Sequence, residues 1–91
     1  MNKNLVLSVQ SKQYTPSFRQ GDIVVLTNKT SPSNTDILAY KDKNGEVVFI
    51  DYESTNEQGR GYEFIGTVDF IDLRHRNNKA LPEIYSGALE I

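Results

Sequence analysis

Short apolar runs rich in β-branched and aromatic residues alternate with turn-forming segments along this chain, the pattern of an all-β domain built from hairpins and meanders. Five strands are predicted. The first is Leu5 to Val9. The second is Asp22 to Thr27, whose Ile23, Val24, Val25 and Leu26 are apolar on both faces of an extended chain and so mark a buried central strand. Between them lies a loop around Pro16, Ser17, Phe18 and Gly21. Asn28 to Asn34 is Ser, Thr, Asn and Pro in composition and reads as an exposed connection to a third strand, Ile37 to Lys41. Asn44-Gly45 tolerates the positive φ angles of a type I′ turn and joins this to a fourth strand, Glu46 to Glu53. The polar stretch Ser54 to Gly61 holds two glycines and no aliphatic residue, so it is expected to be a loop.

The fifth strand, Tyr62 to Arg74, wants cover on both faces. In a regular strand Phe64, Val68 and Phe70 would point one way, and Ile65, Ile71 and Leu73 the other. Either Gly66 marks a bulge that shifts the phase, or part of this strand lies at a subunit contact. The last segment changes period. Leu81, Ile84, Tyr85, Ala88 and Leu89 fall on one stripe of a helix, with Pro82 suited to its first position and Glu83 to its first turn. The chain thus divides into a β core over residues 5–74 and a helical tail over 79–91. So short a helix forms only when docked, on its own sheet or on another copy.

Composition narrows the function. Ninety-one residues make one small domain, which buries only roughly 60% of its unfolded surface, so self-association is plausible on size alone. The net charge of −2 lacks the basic excess needed to neutralise a run of phosphates, making the chain a poor nucleic-acid binder by itself. Without Cys there is no disulfide framework and no thiolate site, and a single His cannot build a multi-His zinc centre. A reducing, cytoplasmic setting is expected, with no cofactor and no metal. No apolar stretch approaches the ~20 residues needed to span a bilayer.

Candidate chemistry is thin. His75 lies between Arg74 and Arg76, whose charges disfavour a protonated ring, and reads as solvated. Glu63, Asp69 and Asp72, like Asp51 and Glu53, read as exposed strand carboxylates that discourage edge pairing. Gln58-Gly59-Arg60-Gly61 has neither the flanking elements nor the ending of a phosphate loop. Tyr14, Phe18, Tyr40 and Tyr52 are expected in core or hairpin packing rather than as a base-stacking platform.

The segment Pro16-Ser17-Phe18-Arg19-Gln20-Gly21-Asp22-Ile23-Val24-Val25 resembles the C-terminal domain of LexA-like and phage CI-like repressors, the S24 peptidase family. The likeness continues through Asp36-Ile37-Leu38-Ala39, the Lys43-Asn44-Gly45-Glu46 hairpin and Phe64-Ile65-Gly66-Thr67-Val68, covering roughly Leu5 to Arg74. It implies a signal-peptidase-like β fold of about five strands. It also implies a Ser-Lys dyad, but Gln13 stands at the nucleophile position and Ile50 or Asp51 at the base position. A carboxamide cannot attack a peptide carbonyl, and neither Ile nor Asp is an amine base. Ser11, Lys12 and Ser17 lie nearby as candidate substitutes, but Ser11 and Lys12, neighbours in an extended chain, point apart and make a poor dyad.

What the resemblance leaves is association. In such repressors a separate N-terminal domain reads DNA, and the C-terminal domain joins two or more copies. The expected contact residues are Phe64, Ile65, Val68, Phe70, Ile71 and Leu73, with Leu81, Ile84, Tyr85 and Leu89 from the tail. An antirepressor protein is an expected further partner; a membrane is not. Two rival readings stand beside this one: an S24-type peptidase with a relocated Ser and Lys, and a stand-alone β adaptor that binds a peptide on a sheet edge.

Overall fold

A computed structural model describes residues 5–28, 33–54, 61–80, 85 and 87–91, with the side chain of Ser54 excepted. The protein is mostly β, as its pattern of apolar runs requires. The strands are β1 (Leu5–Ser8), β2 (Ile23–Thr27), β3 (Ile37–Lys41), β4 (Val47–Asp51), β5 (Glu63–Asp72) and β6 (Leu89–Glu90). Among the described residues, single-turn 3-10 helices join them, including η1 (Lys12–Tyr14), η2 (Tyr52–Ser54) and η3 (Arg74–Asn77). Among the described residues no helix is long and apolar enough to cross a membrane.

All six strands form one curled sheet in the order β4-β3-β5-β2-β1-β6. The four-residue apolar run of β2 is buried throughout, because it lies between β1 and β5 with neighbours on both sides. The concave side holds Leu7, Val9, Phe18, Val24, Leu26, Ala39 and Val47, and Tyr14, Phe49 and Ile91 pack against them. Burying each Val, Leu or Phe side chain of this cluster stabilises by roughly 1.5–3 kcal/mol relative to exposure.

Strand β5 resolves its own surplus of apolar residues with two bulges. Tyr40 pairs with Phe64 while Ala39 pairs with Gly66, leaving Ile65 extra; Val25 pairs with Phe70 while Leu26 pairs with Val68, leaving Asp69 extra. Each extra residue reverses the alternation. Ile65, Val68 and Ile71 therefore all pack against the core cluster, and Phe64 and Phe70 stay exposed. This corrects the regular-strand expectation, which set Val68 beside Phe64 and Phe70. At Gly66 an added Cβ would lie 2.9 Å from the Leu26 Cβ, so β5 and β2 approach closely only because that side chain is missing.

Two local expectations are also revised. The β3–β4 connection is not a two-residue type I′ turn: only Gly45 has positive φ (81°), and Asp42 and Glu46 close a three-residue loop through an Asp42 N–H to Glu46 carbonyl bond of 2.9 Å. Asp42 Oδ1 also accepts from the Asn44 and Glu46 amides, so the side chain does part of the turn's work. The helical stripe does not continue to the end of the chain, because Leu89 and Glu90 form β6, pairing in parallel with Leu7 and Ser8. The Ile91 amide donates to the Ser8 carbonyl at 2.9 Å, and its carbonyl accepts from Gln10 and Ser11. Those bonds seat the Ile91 side chain in the core, a gain a solvated final turn of helix would forgo. Leu81, Ile84 and most of Ser54 to Gly61 lie outside the described residues.

Candidate functional site

Three features carry polar or exposed groups with a definite geometry. The first is a cleft beside β4. Its main cavity, about 380 Å³, lies between the η1 segment and the edge strand, with Tyr14, Phe18 and Phe49 as an aromatic floor and Gln13, Thr15, Ser17 and Glu46 at the rim. The floor is held by ring contacts, Phe18 to Phe49 at 4.5 Å and Tyr14 to Phe49 at 5.6 Å between centroids. A second cavity of about 270 Å³ continues toward Lys41, Gly45 and Leu89–Ile91, so the two edges of the curled sheet face each other across η1. The Tyr14 hydroxyl donates to the Val47 carbonyl at 2.9 Å, occupying one of the main-chain groups β4 turns away from β3. Burial, with help from the Glu46 and Asp42 charges, raises the Tyr14 phenol above its ordinary pKa against the opposing Gln13 hydrogen bond, so it remains a donor.

Gln13 is thus on this rim, but Ile50 is buried outside the core cluster and Asp51 is exposed, and neither lines either cavity. The two positions that the resemblance pairs as nucleophile and base are not brought together here. Ser11 caps η1, its hydroxyl accepting the Gln13 amide at 3.2 Å; Lys12 and Ser17 are exposed.

The second feature is a charged corner. The Asp22 carboxylate has no solvent exposure and sits at the entrance to β2. It accepts from the Arg19 amide at 2.9 Å, from Arg76 Nε at 3.0 Å and Arg76 Nη2 at 2.5 Å, and lies 2.5 Å from His75 Nε2. Burial pushes its pKa up, but the Arg76 guanidinium, the Arg19 amide and His75 together outweigh that and hold it below the usual carboxylate range. His75 is therefore not a solvated ring. It packs on Gly21, whose positive φ (97°) and missing Cβ leave room for it; a Cβ there would lie 2.7 Å from Nδ1.

Asp72, at the end of β5, is likewise buried rather than an exposed strand carboxylate. The Arg74 guanidinium grips both its oxygens and the Tyr85 hydroxyl donates at 3.1 Å. Arg74, against the opposing effect of burial, keeps the carboxyl well below its ordinary pKa. Among the described residues no three His, Asp or Glu side chains gather into a metal-binding group. Sequence reasoning missed the Asp22 cluster because Asp22 and its side-chain partners His75 and Arg76 are more than fifty positions apart.

The third feature is apolar. Phe64 and Phe70 are 43% and 48% exposed on the sheet face away from the core cluster, and Leu73 is 40% exposed just beyond them. Tyr40 stands edge-on to Phe64, 5.5 Å between centroids. Of the expected contact residues, Phe64, Phe70, Leu73 and Leu89 are exposed and Tyr85 is half-buried over Asp72. Ile65, Val68 and Ile71 are not free for a partner, since the bulges turn them inward.

These features define an all-β domain on a single curled sheet, with an aromatic-floored cleft, an ion-paired corner and an exposed aromatic face. Compared with protein-family models, curated proteins and solved structures, the chain matches none of them.

Proposed function

We propose that this chain is a non-catalytic assembly domain of a phage-type or prophage-type transcriptional repressor, joining two or more copies so that separate DNA-reading domains sit at neighbouring half-sites. The observation that carries this reading is the pair Phe64 and Phe70, large aromatic side chains left nearly half exposed on the longest strand. Exposed aromatics on one face of a small domain favour burial against another molecule. Tethering a second reading head raises its effective concentration, which strengthens binding with no new DNA contact. The residues at the dyad positions, Gln13 and Ile50 or Asp51, leave no amine base and no hydroxyl to cut the chain. A repressor that does not cut itself needs another means of release, and an antirepressor protein docking on this domain would supply one.

Sedimentation equilibrium tests the reading. The wild-type chain is expected to run as a dimer or larger at micromolar concentration, and Phe70→Asp as a folded monomer. A wild-type chain that stays monomeric throughout overturns it. The cleft supports a second reading, a β adaptor that takes an extended peptide along the β4 edge. Phe70→Asp separates the two, because peptide capture beside β4 does not use that side chain.

A further inference from the structure

The charged corner holds more cation than its own carboxylates need. The Arg76 guanidinium reaches Asp22 and the Arg74 guanidinium grips Asp72, while Arg19 and Lys79 are set beside them by the main chain: the Arg19 amide donates to the Asp22 carboxylate and the Lys79 amide to the Arg74 carbonyl. Asp72 pairs with Ile23, the residue next to Asp22, so both carboxylates lie at one end of the sheet. Two guanidiniums thus hold two buried carboxylates, and two further basic residues stand next to them along the backbone, within a chain whose net charge is −2. The charge is segregated, and the whole-chain balance conceals it. Arg74 and Arg76 are held by their carboxylates on one side and remain 46% and 27% exposed on the other. The Arg19 and Lys79 side chains have no partner among the described residues, and both are exposed.

We propose that this corner binds the phosphodiester backbone of duplex DNA, through Arg19 and Lys79 as free cations and Arg74 and Arg76 as fixed ones. Backbone recognition is dominated by charge and tolerates a surface without pockets, whereas an acidic peptide also needs apolar or main-chain docking. The two cavities lie elsewhere, lined by none of these four residues. Guanidinium groups already immobilised by buried carboxylates lose little further freedom when an anion arrives. The proposal does not depend on self-association, since one copy contains the whole corner.

The test is fluorescence anisotropy of a labelled duplex of arbitrary sequence at low salt, on the order of 20 mM, where surface charges are least screened. The wild-type chain is expected to bind weakly, with log K falling against log salt at a slope of about −2 to −3 for two or three phosphate contacts. Arg19→Glu with Lys79→Glu should weaken binding at least about tenfold. Neither side chain is used in folding, so an unchanged circular dichroism spectrum and an unchanged sedimentation profile are expected alongside. Lys12→Glu with Lys43→Glu, away from the corner, should leave binding within about twofold. Three results overturn the proposal: no binding by the wild-type chain at low salt, equal binding by the corner variant, or displacement of the duplex by a poly-glutamate peptide but not by a second unlabelled duplex, which would assign the corner to an acidic protein instead.

Discussion

Gly21 shows how one residue's backbone decides a site. Its φ of 97° is open to glycine and strained for other residues, and the space a Cβ would take is filled by the His75 ring. Gly45, with φ 81° at the β3–β4 turn, has the same backbone requirement but nothing within 4 Å of an added Cβ. The pair separates strain from contact. Gly45→Ala should cost about 1 kcal/mol, the ordinary penalty for an L residue in that region. Gly21→Ala should cost roughly 2–4 kcal/mol, because His75 must also move and release the buried Asp22 charge. Urea midpoints of the two variants measure the difference, and equal losses would mean the His75 seat contributes nothing. At this scale the sequence misled for a physical reason: the flanking Arg residues argued for a solvated ring, but Arg76 turns with His75 onto the same carboxylate, so the three form one hydrogen-bonded unit.

At the scale of elements, η3 is fastened to β2 and β5 by two carboxylates whose folded-state pKa values are depressed. The sign follows directly. A depressed carboxylate contributes stability above its unfolded pKa of about 4, and that contribution is lost as pH falls toward the folded value. The urea midpoint should therefore decline steadily below about pH 5, and Asp72→Asn should be less stable at neutral pH yet show a shallower acid decline. Parallel declines in the two proteins would show that the Asp72 to Arg74 pair is not what acid breaks. The neighbouring elements show how much of the fold could be read beforehand. Strands β1 to β5 follow from local apolar runs, and β2's central place follows from being apolar on both faces. The bulges in β5 do not, because Ile65 and Asp69 become extra residues only through the register of β3 and β2 beside them. The same holds for β6: Leu89 fits a helical stripe on spacing alone, and the unpaired edge of β1 claims it instead. Gln13 drew notice only as the nucleophile position of the resemblance, not as a cleft residue, and the cleft's aromatic floor needs Phe49, supplied by a distant strand.

Across the whole molecule, the curled sheet spends its inward-facing residues on one core, and the bulges of β5 send Ile65, Val68 and Ile71 there too. Ile23, Val25, Leu38 and Ile50 are buried outside that cluster, and among the large apolar side chains left exposed are Phe64 and Phe70, nearly half exposed, with Leu73 beyond them. In the proposed function these aromatic side chains are covered by another molecule. If that molecule is a second copy, association stabilises the folded state by mass action, and the thermal midpoint must rise with protein concentration. For a domain of roughly this size, each kcal/mol gained moves the midpoint by about 4–8 °C, so a hundredfold range of concentration gives a readable shift in a dimer. Phe70→Asp should erase the dependence while leaving the dilute-limit midpoint nearly unchanged, since an exposed side chain contributes little to the isolated fold. A wild-type midpoint that is flat across the range would mean this face meets no copy of itself. A variant midpoint that falls even at high dilution would instead place Phe70 among the residues that hold the single chain together.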